Sequence, residues 1–287
     1  MARAVGTIEE MCRALLFVIA LAACSSTPSG GGGGDDTGGG TDAARHDAPG
    51  GMTGPAAVYD PAITKVTVEI DYETGQAPYT GTIIGFGDTF DISVANIDRV
   101  FAHKKQLTIP RVLSAMEDVG PIADEELTAT DVLMLAAKYR NQHDTTSEST
   151  YYILFVSGHF ADANGPNPNI LGVSIGANSH VIVMFKDVIR STGSVLNPNT
   201  ERYVEQSTIV HELGHALGLV DNGVSMVGAH RDAQHGPHCN NDKCVMYWLN
   251  EGATEATQFA LQHVLTNSSI LFDAACLADV DALTGGP

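Results

Sequence analysis

The chain has 287 residues, with 34 acidic against 15 basic side chains and a net charge of −19. That balance argues against a nucleic-acid partner, because a phosphate backbone is held by clustered Lys and Arg. It also disfavours anionic surfaces, and its simplest consequence is solubility.

Three segments follow from composition. Arg13 precedes an apolar run from Ala14 to Ala23, too short to span a bilayer as a mature helix, so residues 1–23 read as an export signal. Leu21-Ala22-Ala23-Cys24 resembles a bacterial lipobox. The resemblance implies cleavage before Cys24, lipidation of that cysteine and an extracytoplasmic place in the cell envelope, at the outer membrane. An ordinary secretory signal is the alternative. Residues 24–58 contain the runs Gly30 to Gly34 and Gly38 to Gly40 and read as a flexible tether. Residues 59–287 then form one domain, expected as a monomer that meets the membrane only through the lipid.

Within that domain, Thr64–Tyr72 alternates apolar and polar residues and predicts a strand. A helix is expected within Gly85–Lys105, starting near Asp88, and a short strand at Leu107–Val112. Leu127–Arg140 predicts a helix capped by Thr128 or Thr130, with Val132, Leu133, Leu135 and Ala136 as its apolar face. Tyr151–Val156 is a buried strand, and Ser157–Asn169 reads as a loop. In that loop Asp162 and Asn164 suit turn chemistry better than a calcium site. Strands at Ile170–Ile175 and His180–Phe185 precede a long helix over Glu201–Leu219. Residues 220–244 form a long loop, and helices are expected at Thr254–Leu265 and within Ser268–Leu283. Strands mixed with helices predict an α/β (α+β) fold: a mixed sheet packed on helices, with a smaller C-terminal lobe.

The long helix carries His211-Glu212-Leu213-Gly214-His215. Histidines at i and i+4 share one helix face and can hold one metal ion. The intervening Glu212 is then placed as general base toward water on that ion. A polar helix stripe is the bland alternative. Val210, Leu213, Leu217 and Leu219 argue against it, since they bury the helix and a buried His pair needs partners.

With Gly218 three residues after His215, the motif resembles the metzincin clan of zinc endopeptidases. The resemblance implies a zinc cofactor, a protein or peptide substrate, and a third metal ligand after the helix. Asp221 has the spacing used by snapalysin-like proteases. His238, in His238-Cys239-x4-Cys244-x-Met246, resembles the archaemetzincin pattern and is preferred by a narrow margin, with His235 and His230 behind. Met246 resembles the Met-turn residue that packs below the ligands. Archaemetzincins continue to a C-x-x-C that binds a second zinc; only Cys276 remains here, so Cys239 and Cys244 are expected to form a disulfide, with pairing to Cys276 left open. Two rivals stand beside the peptidase. One is a non-catalytic zinc-binding surface lipoprotein. The other is a gluzincin-type hydrolase taking Glu251 or Glu255 as third ligand.

Overall fold

The computed structural model describes residues 52–83, 87–193, 197, 199–266 and 270–287, with the backbone alone for 263–266. The expected export signal, Cys24 and most of the tether fall outside them. Strands are β1 (Lys65–Tyr72), β2 (Thr82–Ile83), β3 (Gly87–Asp88), β4 (Gln106–Thr108), β5 (Glu117–Asp118), β6 (Glu126–Leu127), β7 (Glu148–Val156), β8 (His159–Asp162), β9 (Gly165–Asn167), β10 (Gly172–Ser174) and β11 (Val181–Phe185). Helices are α1 (Asp91–Val100), α2 (Ala129–Tyr139), α3 (Lys186–Ser191), α4 (Thr200–Ala216), α5 (Ala253–Thr266) and α6 (Ala274–Thr284). The fold is mixed α/β, as expected.

The main sheet runs β10-β11-β7-β1-β4, with β5 also on β1. β11, β7, β1 and β4 pair in parallel, and β10 alone is antiparallel at one edge. β7 is central. Tyr151, Tyr152, Ile153, Leu154 and Phe155 are all fully buried, so it is covered on both faces. Each such side chain contributes about 1.5–3 kcal/mol of burial. β10 lies over α4, which puts a sheet edge beside the histidine helix. Gly172 permits the approach: a Cβ there would stand 2.9 Å from Met184 Sδ and 3.2 Å from Glu212 Cγ.

Several boundaries differ from the sequence reading. The tether was expected to reach residue 58, but Gly54–Tyr59 form a 3-10 helix with Pro55, Val58 and Tyr59 buried. Tyr59 Oη donates to the Leu217 carbonyl at 3.1 Å, so this segment closes over the end of α4. The expected loop over Ser157–Asn169 contains the β8–β9 hairpin. Asp162 there accepts from Asn164 N at 2.6 Å, which is turn chemistry. On α2, Thr128 and Asp131 form a capping box, but Leu133 is 42% exposed and the buried face is Val132 and Ala136. The expected C-terminal lobe packs back on the rest: Arg99 of α1 pairs with Asp281 of α6 at 2.7 Å, and Leu271 N donates to Asn96.

One buried ion pair fixes α4 to the sheet. Lys186, the first residue of α3 directly after β11, meets Glu205 of α4, with side chains 1% and 0% exposed. The Tyr79 N–H also donates to Glu205, at 2.7 Å, and its ring covers the Lys186 ammonium. A buried charge is tolerated when paired and costly when alone. Lys186→Met should therefore lower stability by about 3–5 kcal/mol in denaturant unfolding. The double change Lys186→Met with Glu205→Leu should recover most of that loss; equal losses in both would mean that the pair does not hold α4.

Candidate metal centre

α4 ends as its glycine dictates. Its last helical residue is Ala216, Leu217 caps it, and Gly218 has φ +83°. The Leu219 N–H returns to the Gly214 carbonyl at 3.0 Å, and Val224 N to Gly218 O at 2.9 Å. The chain then turns away and comes back through residues 230–246.

That return brings three imidazoles together. His215 Nε2 lies 3.0 Å from His211 Nε2 and 3.2 Å from His238 Nε2. All three residues are buried. His211 Nδ1 donates to the Val245 carbonyl at 2.7 Å, and His238 Nδ1 donates to the His235 carbonyl. The Val245 carbonyl fixes the His211 tautomer, so the Nε2 lone pair of His211 faces inward, and the His235 carbonyl orients the His238 ring. His215 Nδ1 has no hydrogen-bond partner. Three ring nitrogens converging on one point are a donor set suited to a cation.

Glu251 is the fourth member. Its Oε1 lies 3.0 Å from His238 Nε2 and 4.0 Å from His211 Nε2. It comes from a 3-10 turn, Trp248–Glu251, and joins His238 rather than replacing it. Burial pushes the His211 pKa down to about 4 and that of His215 well below the usual value. For His238 burial acts downward, but the Glu251 carboxylate outweighs it and raises the pKa.

Glu212, one residue along α4 from His211, is buried close enough to the group to feel the charge of Glu251. Its Oε2 accepts the Ser174 N–H of β10 at 2.7 Å, while its buried Oε1 has no hydrogen-bond partner. Burial, then the charge of Glu251, hold its pKa well above the ordinary carboxylate range. Met246 is fully buried against α4. A Cβ on Gly214 would stand 2.4 Å from Met246 Sδ, so glycine in the motif is what lets the methionine in.

The other candidates lie elsewhere. Asp221 is 52% exposed, has φ +61° and pairs with Arg231 at 2.9 Å. His235 stacks on Trp248 at 3.8 Å and bonds Asp232. His230 bonds Asp279 at 2.7 Å. Glu255 lies on α5, outside the group.

The expected Cys239–Cys244 disulfide is absent. All three described cysteines are free and buried, and Cys244 Sγ lies 3.5 Å from Cys276 Sγ. Cys239 Sγ is 3.6 Å from Asp273 Oδ2. The long loop folds the Cys239–Cys244 turn onto the start of α6, so the sulfurs meet a third sulfur and a carboxylate instead of closing a local bridge. His230 Nδ1 stands 3.8 Å from Cys276 Sγ at the rim of this cluster. Among the described residues, two groups can thus hold a metal ion: His211, His215, His238 and Glu251, and Cys239, Cys244, Asp273 and Cys276. Asp273 escaped the sequence reading. Its signal was Asp273-x-x-Cys276 at a helix start, where the carboxylate also caps α6 through Cys276 N at 2.9 Å.

No family model, curated protein or solved structure matches this chain. Among the described residues no helix is long and apolar enough to cross a membrane.

Thiol mapping of the full chain checks the cysteine cluster. After unfolding without reductant, alkylation should label Cys239, Cys244 and Cys276 alike. A Cys239–Cys244 cross-linked peptide in the folded, purified protein would reinstate the bridge.

Proposed function

We propose that this chain is a zinc-dependent endopeptidase of metzincin type. One observation carries the reading: three imidazole nitrogens converge at one buried point, and the next residue after the first of them, Glu212, holds a buried Oε1 without a hydrogen-bond partner among the described residues. Neutral imidazoles suit zinc, and His211, His215 and His238 would hold it. A bound zinc ion would supply Lewis acidity, lowering the pKa of water and polarising a peptide carbonyl.

The remaining work falls to the chain's own residues. Ser174 N holds Glu212 Oε2, which leaves Oε1 free to take a proton. Burial makes this carboxylate a stronger base than one in water. It takes the proton of water as the oxygen attacks the scissile carbon, and passes that proton to the leaving amine. β10 is the edge strand of the main sheet, and its remaining backbone groups would seat an extended peptide by strand addition. Lipid attachment at Cys24 would tie the enzyme to the bacterial envelope, with the acidic domain held off the surface by the tether.

The cysteine group supports a second ion with a structural task. Three thiolates and a carboxylate, or His230 in its place, also suit zinc. A metal-binding protein without hydrolysis is the rival reading, and Glu251 at the histidine group favours it, because a site filled by protein ligands has no place for water.

Two experiments decide. Metal analysis of the full chain and of Glu212→Ala should give the same zinc content, while cleavage of an unfolded protein should fall by at least about 100-fold in the variant. Equal zinc with no cleavage in either would favour the binding protein. In a second comparison, His238→Ala should lose one equivalent of zinc and all cleavage, whereas Asp221→Ala should keep both. Loss of zinc in Asp221→Ala alone would reverse the choice of third ligand.

A further inference from the structure

The position and exposure of Glu251 set it apart from the three histidines. For zinc bound at 2.0–2.1 Å, the donors of a regular tetrahedron stand about 3.3 Å apart. The three imidazole nitrogens and Glu251 Oε1 are separated by 3.0, 3.2, 3.0 and 4.0 Å along the four edges given by their direct contacts. All donor pairs lie within 4.8 Å. Glu251 therefore stands where a catalytic centre would keep its open place.

The turn that carries it is tied to the histidines but not buried with them. Asn250 Nδ2 donates to the Cys244 and Val245 carbonyls at 3.0 Å each, and the Val245 carbonyl also takes the His211 Nδ1 proton. The Glu251 carbonyl accepts the Leu171 N–H at 3.3 Å, just ahead of β10. The Glu251 side chain is 27% exposed, against 1% for His211 and 2% for His238. It is the most exposed of the four, His215 being 8% exposed. It also sits on the segment that a peptide along β10 would touch.

We propose that Glu251 is the fourth protein ligand of the ion held by His211, His215 and His238, and that the resting centre is closed. Water or substrate reaches the ion only when the Trp248–Glu251 turn withdraws the carboxylate. This rests on the metal reading above. It also reconciles that reading with its rival, since a centre closed at rest and open during turnover satisfies the geometry of both.

The test uses the full chain loaded with cobalt(II), whose visible absorption reports coordination, and azide as a small competing anion. His211→Ala serves as the blank that removes any contribution from the cysteine group. Wild type should show a histidine-centre band that azide leaves unchanged. Glu251→Ala should show a shifted band that moves further with azide. The isosteric Glu251→Gln should bind cobalt about ten-fold or more weakly than wild type, in the range seen when support for a metal site is lost. A wild-type band that responds to azide as strongly as that of Glu251→Ala would overturn the closed centre alone. So would equal cobalt affinity in wild type and Glu251→Gln. A wild-type spectrum indistinguishable from His211→Ala would remove the metal reading and this proposal together.

Discussion

Three imidazoles converge inside the protein, His215 Nε2 lying 3.0 and 3.2 Å from the Nε2 atoms of His211 and His238, and the surrounding chain is organised to keep them there. His211 and His215 are placed by the helix period. His238 is placed by a loop that leaves α4, wraps over its end and returns. Backbone carbonyls of Val245 and His235 fix two of the rings by their outer nitrogens. Everything that anchors α4 supports this arrangement, from the Lys186–Glu205 pair to the Tyr59 hydroxyl over the helix end.

The two metal-compatible groups share one piece of chain. Residues 238 and 239 are neighbours, yet the His238 side chain goes to the histidine group and that of Cys239 to the cysteine group. Val245 and Met246 lie between the two as well: the Val245 carbonyl orients His211, and Met246 fills the space that Gly214 leaves. An ion among the cysteines would therefore stiffen the loop that delivers the third histidine. In the proposed enzyme the second site would act on the first by position, through a few residues of backbone.

Glu212 and Glu251 are two neighbouring carboxylates with different surroundings. Glu212 is fully enclosed and held by an edge-strand amide, and its pKa is raised by burial and by its neighbour. Burial also acts upward on Glu251, but it faces His238, and that contact brings its pKa below the ordinary range. Environments that push two like groups apart are a common way to divide the labour of acid–base chemistry. Here the division matches a base kept basic and a partner suited to meet positive charge.

Local rules made much of this legible in the sequence. The i, i+4 histidines, the glutamate between them, the glycine that ends the helix and the alternation of β1 each depend on residues a few positions apart, so spacing alone predicts them. The methionine between the cysteine turn and the aromatic pair was also visible as a candidate. What spacing could not decide was long-range. Asp221 had the better sequence interval, but positive φ at Val220 and Asp221 turns the carboxylate outward to Arg231, while a longer loop brings His238 in. The cysteines invited a local bridge because Asp273 and Cys276 lie some thirty residues on and meet them only when α6 docks. Glu251 was weighed as a rival to His238, and tertiary packing placed it beside His238 instead. Helix period is set by covalent geometry and backbone hydrogen bonds, whereas loop return is set by whatever surfaces the rest of the chain happens to bury.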